Sequence, residues 1–325
     1  MTTEALRPDW RVIGRSVRGF SHRRHGLPNQ DSIGWSLSDT AATGVVLAAS
    51  DGHGSPRSFR SDRGAAIAVF VALQVMQGLL DMYASGADPT SVEGRLVERA
   101  PQDLVRSWAD AVTADLHAMP PTGDELNALA AKYGDQAAES AKQNPFVAYG
   151  ATVIAVAATD TFVAYLQLGD GDIVAVHPDG DVIRPLPADD RLFANETTSL
   201  CLPEAWRDVR CKLQPIHDLP PPLILLSTDG YSNSFRDDAG FMKVGPDLLR
   251  VVKSEGLEYL DHRLEEWLTT TSERGSGDDI TLGVVCNVNG IGETAGAADD
   301  DGTGKITGAG ASVHELSAEA EGRQE

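Results

Sequence analysis

Aspartates recur in this sequence where short apolar runs stop. Val45-Val46-Leu47-Ala48-Ala49-Ser50 ends on Asp51-Gly52-His53-Gly54, and Leu223 to Thr228 ends on Asp229-Gly230. Val163 to Leu168 ends on Gly169-Asp170-Gly171-Asp172, Asp31 opens an alternating segment, and Asp278-Asp279 precede Ile280 to Val288. A lone Asp-Gly is most often a turn. Repeated at the ends of separate buried strands, it points to carboxylates gathered at one edge of a sheet, where they repel unless a cation lies between them. Oxygen donors with no cysteine, and with histidine only at His53, suit Mg2+ or Mn2+ better than Zn2+. Two such ions can bring the pKa of a bridging water near neutral and hold phosphoryl oxygens for in-line attack. His53, adjacent to a ligand, is placed to protonate a departing alkoxide. The neighbouring carboxylates are expected to keep it protonated to higher pH.

The elements that must position these groups are legible as periodicity. Alternation predicts strands over Arg11 to Phe20 and from Asp31 to Leu37, the latter forming an antiparallel hairpin with the Val45 run. Ser21 to Gln30 reads as a basic loop. Helical spacing predicts a helix capped by Ser61 and Asp62 and stopped at Gly86, then helices over Val92 to His117 and Glu125 to Lys142. Thr152 to Ala157, Thr161 to Leu168 and Ile173 to His177 read as strands joined by tight turns. The proline-rich stretch 185–222 is expected to be a surface excursion able to act as a lid, with one strand near Val209 to Leu213. Helices over Pro246 to Lys253 and Leu257 to Thr270 and a strand over Ile280 to Val288 close the folded part, 1–288. Residues 289–325, rich in Gly, Ala, Asp, Ser and Glu, lack the apolar side chains to form a core and are expected to be a disordered acidic tail.

The chain has 325 residues, is 42% hydrophobic and carries a formal charge of −21. That charge repels nucleic acid and anionic membranes over the surface as a whole. Cys201, Cys211 and Cys286 have no paired spacing, which argues against a disulfide framework or a zinc site. Met1-Thr2-Thr3-Glu4-Ala5 lacks the basic-then-apolar pattern of a leader, and the apolar stretch Ala65 to Met76 is too short for a membrane span. A cytoplasmic monomer with no nucleic-acid or membrane partner is expected.

Six segments in order resemble the metal-dependent Ser/Thr protein phosphatases of the 2C (PPM) type in their bacterial form. They are Asn29-Gln30-Asp31-Ser32, Asp51-Gly52-His53-Gly54, Tyr149-Gly150-Ala151-Thr152, Leu168-Gly169-Asp170, Ser227-Thr228-Asp229-Gly230 and Gly277-Asp278-Asp279-Ile280-Thr281. The resemblance implies an α+β fold, a four-layer α/β/β/α sandwich of two antiparallel sheets flanked by helices. It implies a site of two Mn2+ or Mg2+ ions, Asp51 bridging both, the Gly52 carbonyl on the second, Asp229 and Asp278 on the first, and Asp31 acting through water. Asp170 matches a carboxylate that helps hold a weaker third ion in many members, and Asp279 is expected to orient Asp278. Many members have arginine where Gly26 stands, so the phosphate grip is expected from His22 or Arg24. Asn233 replaces an aspartate of the third site. The implied partners are phosphoprotein substrates and a cognate Ser/Thr kinase.

Two other activities fit the same fold: a pseudophosphatase that binds phosphoproteins without turnover, and a phosphoesterase acting on small molecules. Cys201 to Arg207 has the Cys-x5-Arg spacing of cysteine-dependent phosphatases, but Pro203 lacks an N–H and Glu204 repels phosphate. His314-Glu315 begins a zinc-protease pattern without its second histidine.

Overall fold

A computed structural model describes residues 8–37, 44–187, 198–217 and 219–291. Its strands are β1 (Trp10–Val17), β2 (Ser32–Leu37), β3 (Val45–Ser50), β4 (Val153–Ala158), β5 (Phe162–Leu168), β6 (Asp172–Val176), β7 (Val182–Ile183), β8 (Arg210–Pro215), β9 (Leu223–Ser227) and β10 (Ile280–Asn287). The helices are α1 (Phe20–His25), α2 (Ser61–Ala84), α3 (Pro89–Glu98), α4 (Ala100–Ala118), α5 (Gly123–Tyr133), α6 (Asp135–Gln143), α7 (Asp229–Ser232), α8 (Asp238–Met242), α9 (Val244–Glu255) and α10 (Leu257–Arg274). The strands form two antiparallel sheets, ordered β1-β10-β9-β6-β7 and β2-β3-β4-β5-β8.

Strand periodicity explains the layering. Alternate β3 residues Val45, Leu47 and Ala49 join Ile154, Tyr165, Ile224, Leu226 and Val285 in a core between the sheets. The intervening Val46 and Ala48 face the other way, into a core with α2, α3 and α4. On the far face of the other sheet, Val174, Leu225 and Val284 pack with Leu248, Val252, Leu264 and Leu268 of α9 and α10. A strand buried on both faces has no polar side to show, which is why β3 reads as an unbroken apolar run. Each fully buried Leu or Val contributes about 1.5–3 kcal/mol. The result is the four-layer α/β/β/α sandwich that the sequence implies.

Register puts the motifs together. Ser32 pairs with Ser50, Leu282 and Asp172 both pair with Ser227, and Val153 pairs with Leu168. Residues just before β2, β4, β6 and β10 and just after β3, β5 and β9 therefore share one end of the sandwich. The β4–β5 hairpin is as expected, but the turn from β5 to β6 crosses from one sheet to the other, with the Gln167 side-chain amide bracing the Gly169 and Gly171 carbonyls at 3.3 and 2.5 Å.

Several local expectations change. The basic loop contains α1, ended by Gly26 at φ 70° as a left-handed cap, so that glycine has a backbone reason to stand there. The helix expected over Val92 to His117 breaks at Arg99, and Pro101 falls in the first turn of α4. The helix over Glu125 to Lys142 breaks at Gly134, φ 85°. Ser61 does not cap α2; its hydroxyl accepts from the Gln30 side chain at 2.6 Å. The helix α2 is longer than its apolar run suggests and passes length and composition for a membrane span, yet Ala65, Ala68, Val69, Ala72, Met76 and Leu79 pack into the core. Within 185–222, Leu186, Leu200 and Ala205 are buried and β8 pairs with β5. Its middle, 188–197, lies outside the described residues, as do 292–325 of the expected tail, including His314.

One polar cluster fixes the turn before β4. The buried Arg60 guanidinium bonds both carboxylate oxygens of Glu125 at 2.8 Å, the Tyr149 hydroxyl at 2.9 Å, and the carbonyls of Met119 and Pro120 at 2.5 and 3.1 Å. Tyr149 in turn donates to Asp115 at 2.6 Å, and the Arg60 main-chain N–H donates to the Ala148 carbonyl at 2.8 Å. Arg60 holds Glu125 down at about 2, far below the usual carboxylate range. Arg60→Ala removes the cation from a partly exposed carboxylate, which keeps only its Thr122 donors, and leaves two carbonyls without this donor, so a loss of about 2–3 kcal/mol is expected in urea unfolding. Arg60→Lys should not restore it, because a single ammonium cannot fork to these acceptors.

Candidate metal centre

Asp31 precedes β2 and is nearly buried, yet its carboxylate crosses between the sheets. Its Oδ2 accepts from the Thr228 hydroxyl at 2.7 Å and lies 2.8 Å from the Thr281 hydroxyl. These threonines sit at the ends of β9 and β10, and the Thr281 N–H donates to Thr228 Oγ1 at 3.0 Å. Neither had a role in the sequence reading, although both lie inside its motifs.

Asp51 and Gly52 are fixed by main chain. The Thr152 N–H donates to the Asp51 carbonyl at 2.8 Å, Gly52 N–H to the Gln30 carbonyl at 3.1 Å, and His53 N–H to the Gly150 carbonyl at 3.1 Å. A Cβ on Gly52 would stand 2.5 Å from the Ser61 carbonyl oxygen and 2.6 Å from that of Gln30, so this Asp-Gly is a close backbone crossing as well as a strand end. Gly230 is tighter still, with a Cβ placed 2.1 Å from the Asp279 carbonyl oxygen. That approach brings Asp229, at the start of α7, beside the Asp278 loop. The Asn233 side chain donates to Asp229 Oδ2 at 3.0 Å, occupying a carboxylate oxygen with a neutral amide.

Asp278 and Asp279 diverge. Asp278 faces solvent and the cleft, and its Oδ1 accepts the Asp279 main-chain N–H at 2.9 Å. The Asp279 carboxylate is 3% exposed and points away, accepting from Gly19 N–H and Gln30 N–H at 2.6 Å each and facing His22 Nδ1 at 2.8 Å. Asp279 thus orients Asp278 through its backbone, while its side chain ties down the β1–β2 connection. Arg24 is exposed over the Phe20 ring and is not among the residues lining the cleft.

A cleft of about 180 Å³ is lined by His22, Asp51, Gly52, His53, Gly54, Asp170, Asp229, Asp278 and Asp279. Asp31 does not line it, but its charge acts on Asp51. Burial first, then the surrounding carboxylates, raises the pKa of Asp31, Asp51 and Asp229. Carboxylates gathered in this way repel one another until a cation lies between them, and an all-oxygen donor set suits a divalent ion. Burial lowers the pKa of His53, and Asp170 only partly opposes it. At His53 desolvation thus outweighs the neighbouring carboxylate, the reverse of the direction expected from charge alone. Cys201 lies outside the cleft lining, half-buried, with its thiol pushed up by burial, and Arg207 pairs with Glu204 at 2.8 Å rather than closing a phosphate loop.

The raised carboxylates set a sign for stability. They bind protons more tightly folded than unfolded, so their contribution to folding falls as pH rises above about 4. In chelator at pH 8, Asp229→Asn should therefore melt a few degrees above wild type. With Mn2+ the order should reverse, and the gain on adding Mn2+ to wild type should be larger at pH 8 than at pH 5. Calorimetry checks both; a lower melting temperature for the metal-free variant would contradict this account of the cluster.

The family model described as Protein phosphatase 2C matches residues 18–269, from before His22 to beyond Asp229, and stops short of Asp278. The structure is similar to serine/threonine phosphatase Stp1 from Staphylococcus aureus, with a TM-score of 0.51 at 13% identity over 88% of this chain and 98% of that one. A bacterial serine phosphatase carrying a single substitution gives a TM-score of 0.51 at 13% identity over 86% of this chain and 99% of that one. At these identities the likeness is one of fold. No curated protein matches the sequence. The match of the family model over most of the chain, on strands that deliver its motifs to one cleft, places this chain in the protein phosphatase 2C family.

Proposed function

We propose that the chain is a metal-dependent phosphatase that hydrolyses phosphoserine and phosphothreonine in proteins. The observation that carries this is the delivery of Asp31, Asp51, Asp229 and Asp278 from separate strand ends to one site, where burial and mutual repulsion raise three of them. Asp51, the Gly52 carbonyl, Asp229 and Asp278 would hold two Mn2+ or Mg2+ ions, with Asp31 behind them and Asp170 serving a weaker third. Bound there, the ions would supply an ionised water at neutral pH and neutralise phosphoryl charge. The carboxylates fix the ions, and the strand-end hydrogen bonds fix the carboxylates. His53, held by the Gly150 carbonyl and facing the cleft, is placed to give a proton to the departing seryl or threonyl oxygen, and its lowered pKa makes its protonated form the stronger acid. Asn233 makes the third site poorer in charge. The protein works as a cytoplasmic monomer on phosphoproteins, opposing a Ser/Thr kinase, with no nucleic-acid or membrane partner.

Hydrolysis of a phosphothreonine peptide with Mn2+ should be lost on adding chelator and fall by about 100-fold or more in Asp229→Asn. Equal turnover by variant and wild type would refute the metal-ligand assignment. A wild type inert at every Mn2+ level would leave a phosphoprotein-binding regulator, and turnover confined to small phosphoesters would leave a small-molecule phosphoesterase. His53→Gln should slow the peptide far more than p-nitrophenyl phosphate, whose leaving group needs no proton. Equal slowing of both would remove the acid role from His53.

A further inference from the structure

His22 has a geometry that a phosphate grip does not explain. It sits on α1, its side chain 12% exposed, with Nδ1 2.8 Å from Asp279 Oδ2 and Nε2 3.6 Å from Asp278 Oδ1. Asp279 already accepts two main-chain N–H groups, one on each oxygen. A carboxylate in that setting is an acceptor, so Nδ1 carries the proton. In a neutral imidazole the lone pair is then on Nε2, on the side of Asp278 and the cleft. The 3.6 Å separation from Asp278 Oδ1 is too long for a hydrogen bond. It does match two ligands of one ion: with bonds of about 2.1 Å and angles of about 90–120°, donor atoms lie roughly 3.0–3.6 Å apart. The His22, Asp278 and Asp279 donor atoms all lie within 4.8 Å of one another.

We infer that His22 ligates, through Nε2, the divalent ion held by Asp278, with Asp279 as the acceptor that fixes its tautomer and ring orientation. The inference rests on the two-metal reading above and deepens it. A histidine whose other nitrogen donates to a carboxylate is the recurrent arrangement of metal-bound imidazole. It also explains the buried charge of Asp279, which binds both the segment carrying His22 and the segment leading to Asp31. An imidazole nitrogen among oxygens shifts preference away from Mg2+, which favours oxygen, toward Mn2+ and the later first-row ions. The phosphate grip then falls to the ions rather than to a basic side chain.

The test is electron spin-echo spectroscopy of the full-length protein loaded with Mn2+, which detects a nitrogen bound to the ion. Nitrogen modulation is expected in wild type, retained in His53→Gln and absent in His22→Ala. Calorimetric titration should show Mn2+ affinity falling on the order of 10-fold or more in His22→Ala, with Mg2+ affinity falling less. Bound Mn2+ without nitrogen modulation in wild type, or modulation that survives in His22→Ala, overturns the inference and leaves the two-metal reading standing. Failure of wild type to take up Mn2+ at all overturns both. The wild-type spectrum needs no variant, so a poorly folded His22→Ala would not rescue the idea.

Discussion

Carboxylates packed at one end of a sandwich, close enough to raise one another's pKa, are the constraint around which this structure is built. Asp31 is the clearest case. Burial works against its charge, and the Thr228 and Thr281 hydroxyls offset only part of that cost. Those hydroxyls belong to the opposite sheet. The bond that makes Asp31 tolerable is therefore also the bond that closes the two sheets at the end where the site forms. A fold seeking stability alone would place an apolar residue there. The acids stand there at a cost to stability.

Asp279 does for the first segment of the chain what Asp31 does for the sheets. Three donors from the β1–β2 connection converge on it: Gly19 N–H, Gln30 N–H and the His22 ring. Its carbonyl lies against Gly230, where no side chain fits. One residue thereby sets the positions of His22, Asp31, Asp229 and, through its own N–H, Asp278. On the other side, Arg60 and Tyr149 hold the turn whose Gly150 carbonyl receives the His53 N–H. The rigid parts of the site are thus main-chain crossings and buried polar clusters, and the groups facing the cleft need little support of their own.

The strand-end aspartates were legible in the sequence because β3 and β9 are buried on both faces and so read as unbroken apolar runs that stop where the sheet stops. The β2–β3 hairpin followed from its short connection. Helix breaks were not legible in the same way: α3 runs almost directly into α4, and α5 into α6, so helical periodicity continues across Arg99 and Gly134 while the axis turns. The basic loop concealed α1, since Arg23, Arg24 and His25 lie on a helix with no buried residue and hence no apolar stripe. Asp279 looked like a neighbour of a ligand because sequence adjacency does not reveal that successive side chains at a strand end point apart. The direction of the His53 shift was not legible, because nearby carboxylates are visible in a sequence and desolvation is not.

Charge balance clarifies what the site must do in so acidic a molecule. If Asp31, Asp51, Asp229 and Asp278 hold two dications as proposed, their charges cancel, and a filled centre would have little net charge to draw a phosphate across a surface whose formal charge totals −21. Attraction would then have to act at short range. A neutral imidazole at His22, in the role inferred for it, would serve this better than another carboxylate, since it adds a donor without adding negative charge. Asn233 points the same way, because it contributes an amide to Asp229 where an acid would add repulsion. Asn233 thereby keeps one negative charge out of the cluster that Asp51, Asp170, Asp229 and Asp278 form around the cleft.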